Sequence, residues 1–145
     1  MKRWLIVAAL ALAGCDHGLP QTLSVDSSCD QHWHDSITAE LENWQTVIGF
    51  APELVDYPGD IQVSCSDEIK FGKAGEASFN EGRIILYSRS VPRFQERQVF
   101  GHELGHALGL HHSSPGSLMS PNKDGLPTDG LPQAVDVEQF QERWQ

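Results

Sequence analysis

The sequence predicts a small α/β (α+β) domain, in which a twisted mixed β-sheet is accompanied by three helices. Its 145 residues suit one domain. Hydrophobic residues make up 39% of the chain and charged residues 21%, which is the composition of a globular protein. Apolar residues at helical and at strand-like spacings follow one another along the chain, which indicates helices packed against a sheet.

The first helix is predicted over residues 31–48. Its apolar residues recur at spacings of three or four with polar residues between them, so they share one face of a helix. Gly49 comes directly after this pattern and is a typical helix terminator. The predicted apolar face consists of Trp33, Ile37, Leu41, Trp44 and Ile48.

Three strands are predicted in the middle of the chain. Ile61–Cys65 alternates apolar and polar residues as a half-buried strand does. The apolar run Arg83–Ser88 follows a Glu-Gly turn and forms a second strand. Glycines on both sides of Ala77–Phe79 favour a short strand between loops.

The last part of the chain is predicted to hold two helices joined by a long loop. Gln95–Leu108 has helical composition, and Asp136–Trp144 places three apolar residues on one face of a helix. The intervening residues 113–133 are rich in Pro and Gly, so we expect mostly loop there.

The N-terminus is typical of a bacterial lipoprotein signal peptide, predicted over residues 1–14. Two cations precede an apolar run over residues 4–13, which is too short to span a membrane. The next residues, Leu-Ala-Gly-Cys at 12–15, resemble the lipobox, in which Cys15 receives the lipid. An ordinary signal peptide with a chance cysteine is the alternative. We expect residues 15–21 to be the lipidated cysteine and a tether, and residues 22–145 to be the domain.

The location expected from this N-terminus is the cell envelope, with the domain facing the periplasm. Asp16 resembles the signal that retains a lipoprotein in the inner membrane, and the outer membrane is the alternative. If Cys15 carries lipid, Cys29 and Cys65 are left as one pair that an oxidising periplasm allows to form a disulfide. Two unrelated thiols are the alternative reading of that pair.

The charge of the chain excludes two classes of partner. The formal net charge is −10, and the cations are scattered singly along the sequence. Nucleic-acid binding and lipid binding through a polybasic patch both need clustered cations, so we expect neither. We expect a monomer that meets the membrane only through its N-terminal lipid.

The candidate chemistry lies in the run from His102 to His112. His102 and His106 are four residues apart on the predicted second helix, so both imidazoles face one point. Glu103 is offset enough to reach a water molecule there without being a ligand. Gly109 allows the chain to end the helix and reverse, which returns His112 as a third nitrogen ligand. Three histidines with an open position are typical of a catalytic zinc site.

The extended motif is far more specific than its first five residues. The H-E-x-x-H-x-x-G-x-x-H spacing is expected on the order of once in ten thousand shuffled versions of this chain. The spacing after the glycine selects His112, and a swapped role for the neighbouring His111 is the alternative.

The run HELGHALGLHH, followed by Ser-Leu-Met-Ser-Pro at 117–121, resembles the metzincin zinc peptidases. In that family a methionine in a tight turn lies beneath the zinc site, and Met119 matches it. Ser113 and the Leu-Met-x-Pro sequence resemble the matrixin branch. The chain departs from that branch in its short length, and it has no evident cysteine-switch propeptide and no clear match to the second zinc or to the calcium loops.

The resemblance implies one catalytic Zn²⁺ and an endopeptidase that hydrolyses extended segments of periplasmic proteins, with Glu103 as general base. Family analogy also implies that the strand residues Ile84, Ile85, Leu86 and Tyr87 form the sheet edge that pairs with substrate. The alternative is a non-catalytic zinc-binding lipoprotein. Glu103 argues against that alternative, because metal binding alone needs only the histidines.

Overall fold

The structure is a computed structural model that describes residues 18–145. The predicted signal peptide, Cys15 and Asp16 lie outside the described residues. The described elements, in chain order, are β1 (Thr22–Val25), α1 (Gln31–Ile48), β2 (Glu53–Leu54), β3 (Ile61–Ser66), β4 (Gly75–Ser78), β5 (Arg83–Tyr87), α2 (Glu96–Ala107) and α3 (Ala134–Trp144). The five strands form one mixed sheet in the order β2-β1-β3-β5-β4, in which only β4 pairs in the antiparallel direction.

Helix α1 has the bounds that its apolar spacing predicts. The Asp30 carboxylate caps the first turn by accepting a hydrogen bond of 3.0 Å from the Trp33 N–H. At the other end Gly49 adopts a left-handed conformation with φ of 81°, and its N–H donates to the Gln45 carbonyl. All five residues of the predicted apolar face are buried in the core, namely Trp33, Ile37, Leu41, Trp44 and Ile48.

The sequence does not predict strands β1 and β2. In β1 the neighbours Leu23 and Ser24 are both buried, so burial does not alternate as a strand pattern requires. The Ser24 hydroxyl is satisfied by accepting a hydrogen bond of 2.9 Å from the Gly59 N–H. Strand β2 has only two residues, both exposed, and it forms by pairing in parallel with β1.

The three predicted strands are present, with small differences at their ends. Strand β3 extends one residue beyond the prediction, and β5 ends one residue before it. Strand β4 begins at Gly75, two residues before the predicted start, and ends at Ser78. The glycine is included because its backbone pairs with Leu86 of β5.

The prediction that Ile84–Tyr87 forms the sheet edge is wrong. Strand β5 lies inside the sheet, because it pairs with β3 on one side and with β4 on the other. Three of its four predicted substrate-facing residues, Ile84, Leu86 and Tyr87, are buried. The sheet edge on this side is β4, and the turn that follows it leads the chain back antiparallel into β5.

A disulfide between Cys29 and Cys65 joins the segment before α1 to strand β3. The cysteines are 36 residues apart, and a loop of that length is stabilised by roughly 3–4 kcal/mol when it is closed. The bond fixes the start of the first helix to the centre of the sheet.

The C-terminal part of the chain has the predicted order of loop and helix. Residues 113–133 are loop apart from a 3-10 turn at Lys123–Gly125. Helix α3 starts two residues before the predicted position, and its Phe140 packs edge-on against Trp44 of α1 with ring centres 6.4 Å apart. Of the helices in residues 18–145, none has the length and apolar character needed to cross a membrane.

Candidate metal centre

Helix α2 carries the first two histidines, and its end supplies the third. Its last turn closes with a hydrogen bond of 2.8 Å from the Leu110 N–H to the Gly105 carbonyl and one of 2.9 Å from the Gly109 N–H to the His106 carbonyl. Gly109 has φ of 84°, a left-handed conformation that a side chain would strain. The reversal predicted at Gly109 is therefore present, and it leads the chain directly to His112.

The three histidines converge on one point. The ring centres lie 4.7 Å apart for His102 and His106, 4.7 Å for His106 and His112, and 5.2 Å for His102 and His112. One nitrogen of each ring lies within 4.8 Å of the others, a spacing that could hold one metal ion. His111 does not belong to this group.

Hydrogen bonds at Nδ1 of His102 and His106 leave the Nε2 lone pairs of the two rings close to each other. Nδ1 of His102 lies 2.8 Å from the Leu118 carbonyl, and Nδ1 of His106 lies 2.9 Å from the Leu110 carbonyl. Because a carbonyl only accepts, each Nδ1 carries the proton, and the Nε2 atom of each neutral ring is bare. These two Nε2 atoms are 3.1 Å apart. Two lone pairs at that distance favour a cation between them, so the donor set fits Zn²⁺.

Burial keeps two of these rings neutral. Burial above all, together with the neighbouring His106 and His112, lowers the pKa of His102 from its usual 6.5 to about 4. Burial also lowers the pKa of His106. Both imidazoles are therefore unprotonated at neutral pH, which is the form that binds a metal.

Glu103 is buried beside the histidines, with 8% of its surface exposed. Burial above all, together with the charge of Glu76, raises the pKa of its carboxyl group from 4.5 to about 7. The side chain packs against the backbone of Gly75 on β4, where a Cβ atom would lie 2.8 Å from Glu103 Cγ. The absence of a side chain at Gly75 is what gives Glu103 room next to the sheet edge.

Met119 lies directly beneath the second helix. It is fully buried in a turn in which the Ser120 N–H donates to the Ser117 carbonyl over 3.2 Å. A Cβ atom on Gly105 would overlap the Met119 sulfur, so the glycine of the HELGH run allows the two segments to touch. The same turn presents the Leu118 carbonyl that orients His102.

Asp136 of α3 holds this turn in place, and no motif in the sequence indicated it. The fully buried carboxylate accepts hydrogen bonds from the N–H groups of Leu118, at 2.8 Å, and Met119, at 3.2 Å. It also accepts a bond of 2.7 Å from the Gln133 N–H at the start of α3. The third helix is thereby coupled to the segment that positions His102.

A cleft of about 840 Å³ opens over the histidines. It is lined by all three of them and by Glu103, with the edge strand β4 on one side and the loop after Met119 on the other. Of the strand residues predicted to border it, Ile85 does so and Ile84, Leu86 and Tyr87 do not. His111 lies outside it, in a smaller neighbouring cavity.

The fold is similar to that of a metzincin. The crystal structure of archaemetzincin from Methanopyrus kandleri matches with a TM-score of 0.57 over 90% of this chain and 98% of that chain, at 13% sequence identity. A match at such low identity shows the shared α/β fold alone. A search of curated proteins finds no significant match.

The family of the chain is shown by a sequence match over most of its length. The family model described as Matrixin (Peptidase_M10) matches residues 30–143, which span the elements from α1 to α3. The chain therefore belongs to the matrixin family. This membership and the three convergent histidines support a zinc metallopeptidase.

Proposed function

We propose that the protein is a zinc-dependent endopeptidase that hydrolyses extended protein segments. The observation that carries the proposal is the position of the buried Glu103 carboxyl group beside three convergent histidines, in a cleft bordered by a free strand edge. One catalytic ion would be held by His102, His106 and His112. When bound, such an ion supplies Lewis-acid chemistry that polarises a peptide carbonyl and activates water.

Glu103 has the position and environment of a general acid–base group. A carboxyl group with a pKa near neutrality can accept a proton from water at one oxygen and return it to the leaving amine. Its side chain packs against Gly75, which places the carboxyl group beside β4. The proton transfer therefore takes place on the side of the cleft next to β4.

The free edge of β4 is the proposed binding site for the substrate backbone. Residues Gly75–Ser78 use one side of the strand to pair with β5, and their other side borders the cleft. An extended peptide adding to this edge gains main-chain hydrogen bonds that do not depend on its sequence. This assignment replaces the one made for β5 from family analogy.

A non-catalytic zinc-binding protein is the alternative, and two features oppose it. A buried carboxyl group with a raised pKa destabilises the native state, and metal binding by three histidines does not need it. A structural zinc site is normally closed by a fourth protein ligand, and the group found within residues 18–145 has three.

The protein is further proposed to act in the periplasm, anchored by lipid on Cys15 after removal of residues 1–14. The disulfide between Cys29 and Cys65 supports an oxidising compartment. The resemblance of the N-terminus to a lipobox supports the anchor, and Asp16 favours the inner membrane over the outer membrane. Peptides and proteins of that compartment would be its substrates, cleaved by a monomer.

Replacement of the carboxyl group tests the proposed reaction. Glu103→Gln should retain about one zinc ion per chain and lose about 10²–10⁴-fold in kcat, because the three ligands remain and the proton acceptor is removed. The matched control is Glu42→Gln on the exposed side of α1, which should cleave at the rate of the unmodified protein. Zinc is measured by atomic emission and cleavage by chromatography of an unstructured protein substrate. Full activity of Glu103→Gln would refute the proposed role.

A further inference from the structure

The charges of this acidic protein are unevenly distributed between the cleft and the rest of the surface. Residues 18–145 contain eight Lys and Arg residues and nineteen Asp and Glu residues. Five of the eight cations line the cleft and the smaller cavity next to it, whereas two of the nineteen acids, Glu76 and Glu103, do so. The five cations are Lys70, Lys73, Arg83, Lys123 and Arg143.

The two cavities are parts of one groove along the sheet edge. The smaller cavity, of about 450 Å³, shares Ala77, Ser78 and His106 with the main cleft. The groove therefore continues past the histidines along β4. A peptide paired with that strand would lie in both cavities.

The cations flank this groove at both ends and on both walls. Lys70 and Lys73 immediately precede β4, while Arg83 pairs in register with Ser78 at its far end. Lys123 lies on the opposite wall, in the loop after Met119. Arg143 of α3 borders the smaller cavity.

Ion pairs within the protein leave part of this positive charge unbalanced. Lys70 and Lys73 share one acid, with their Nζ atoms 3.7 Å and 2.6 Å from the same Glu76 oxygen. Arg83 pairs with Glu81 at 2.7 Å. These ion pairs are exposed, and such pairs contribute little and are easily replaced by a ligand.

Lys123 and Arg143 have no ion pair among the residues that the structure describes. The Arg143 guanidinium stacks on two adjoining aromatic rings, with its Cζ atom 4.7 Å from the centre of Phe79 and 5.0 Å from that of Trp144. The guanidinium also packs against Gly109, and Arg143 lines the smaller cavity together with His106 and Ser78. A fixed guanidinium without an acidic partner is suited to bind a carboxylate.

We propose that the groove selects extended peptide segments carrying acidic side chains. The proposal rests on the peptidase function proposed above and names its substrate class. Backbone pairing with β4 accepts any sequence, and the surrounding cations then favour segments with Asp or Glu on either side of the cleavage site. The acidic remainder of the surface repels such a segment, which directs it to the groove.

Pairs of peptides that differ only in charge test this selection. Each pair has blocked ends and one sequence, with Asp and Glu in one member and Asn and Gln in the other. Binding is measured by fluorescence anisotropy with the zinc-loaded Glu103→Gln protein, and kcat/KM with the active protein. The acidic member should bind and be cleaved about tenfold better at low salt, with the difference reduced at about 0.5 M salt.

Substitutions of Lys123 and Arg143, the two groove cations without an ion pair, show whether they produce the preference for the acidic peptide. Lys123→Gln and Arg143→Gln should each reduce the preference about threefold, whereas Arg143→Lys should retain more of it because the charge remains. The matched control, Arg93→Gln, removes an exposed cation outside the groove and should leave the preference unchanged.

The outcomes separate this proposal from the one on which it rests. Better binding of the acidic peptide without cleavage of either member would refute the peptidase function and keep the selection. Equal binding and equal kcat/KM for both members would overturn the selection and keep the peptidase function. A preference that survives both Gln substitutions unchanged would also overturn the proposal, because the two cations without ion pairs would then contribute nothing to it.

Discussion

Glu40 is a buried carboxyl group whose ionisation should control how stability changes with pH. It lies on α1 against the active-site helix, with none of its surface exposed, and its Oε1 atom has no hydrogen-bond partner among residues 18–145. The other oxygen accepts a hydrogen bond of 3.0 Å from Asn43 Nδ2 and lies 4.0 Å from Arg97 Nε. Burial outweighs both of these contacts and raises the pKa of Glu40 from 4.5 to about 9.

The pKa of Glu40 in the unfolded chain, 4.5, and in the folded protein, about 9, set the direction and size of the change in stability with pH. Below pH 4.5 the carboxyl group is protonated in both the folded and the unfolded chain, so it imposes no penalty. As the pH rises from 4.5 towards 9 the unfolded chain releases the proton and the native protein retains it, so stability falls by about 1.4 kcal/mol per pH unit. Between pH 5 and 7.5 this amounts to about 3 kcal/mol.

Glu40→Gln removes the titration and preserves the shape of the side chain. The free energy of unfolding of this variant should rise relative to the unmodified protein by about 3 kcal/mol between pH 5 and 7.5. The assay is urea denaturation followed by circular dichroism at a series of pH values with a fixed zinc concentration. Glu42→Gln, on the exposed side of the same helix, serves as control. A stability difference that is the same at every pH would show that Glu40 titrates alike in both states, which would refute the argument.

Two further predictions concern the support of the site and the anchor of the chain. Asp136→Asn should lower the free energy of unfolding by about 2–3 kcal/mol. In the unmodified protein both carboxylate oxygens accept hydrogen bonds from backbone N–H groups, and the amide NH₂ of Asn cannot accept one. Urea denaturation measures this loss, and a variant as stable as the unmodified protein would contradict the role assigned to Asp136. Cys15→Ala should move the protein from the inner-membrane fraction to the soluble periplasm or leave its signal uncleaved. Unmodified protein found in the cytoplasm would contradict the proposed anchor.

The sequence alone determined the elements whose residues repeat at a regular spacing. Helix α1 could be placed to the residue, because its apolar face repeats over four turns and Gly49 follows the last of them. The histidine site could also be predicted, since its ligands lie within eleven residues on one helix and the turn that ends it. Local geometry fixes such a site, and Gly109 supplies the reversal that the third ligand needs.

Only the tertiary structure decided which strand forms the sheet edge and what lies around the histidines. Strand β5 has the stronger strand pattern because it is inside the sheet, and the edge strand β4 is short and glycine-containing because it is paired on one side only. Asp136, Gly75 and the cations of the groove come from distant parts of the chain. Their meeting depends on long-range packing and not on spacing along the sequence, so no local pattern of residues could predict it.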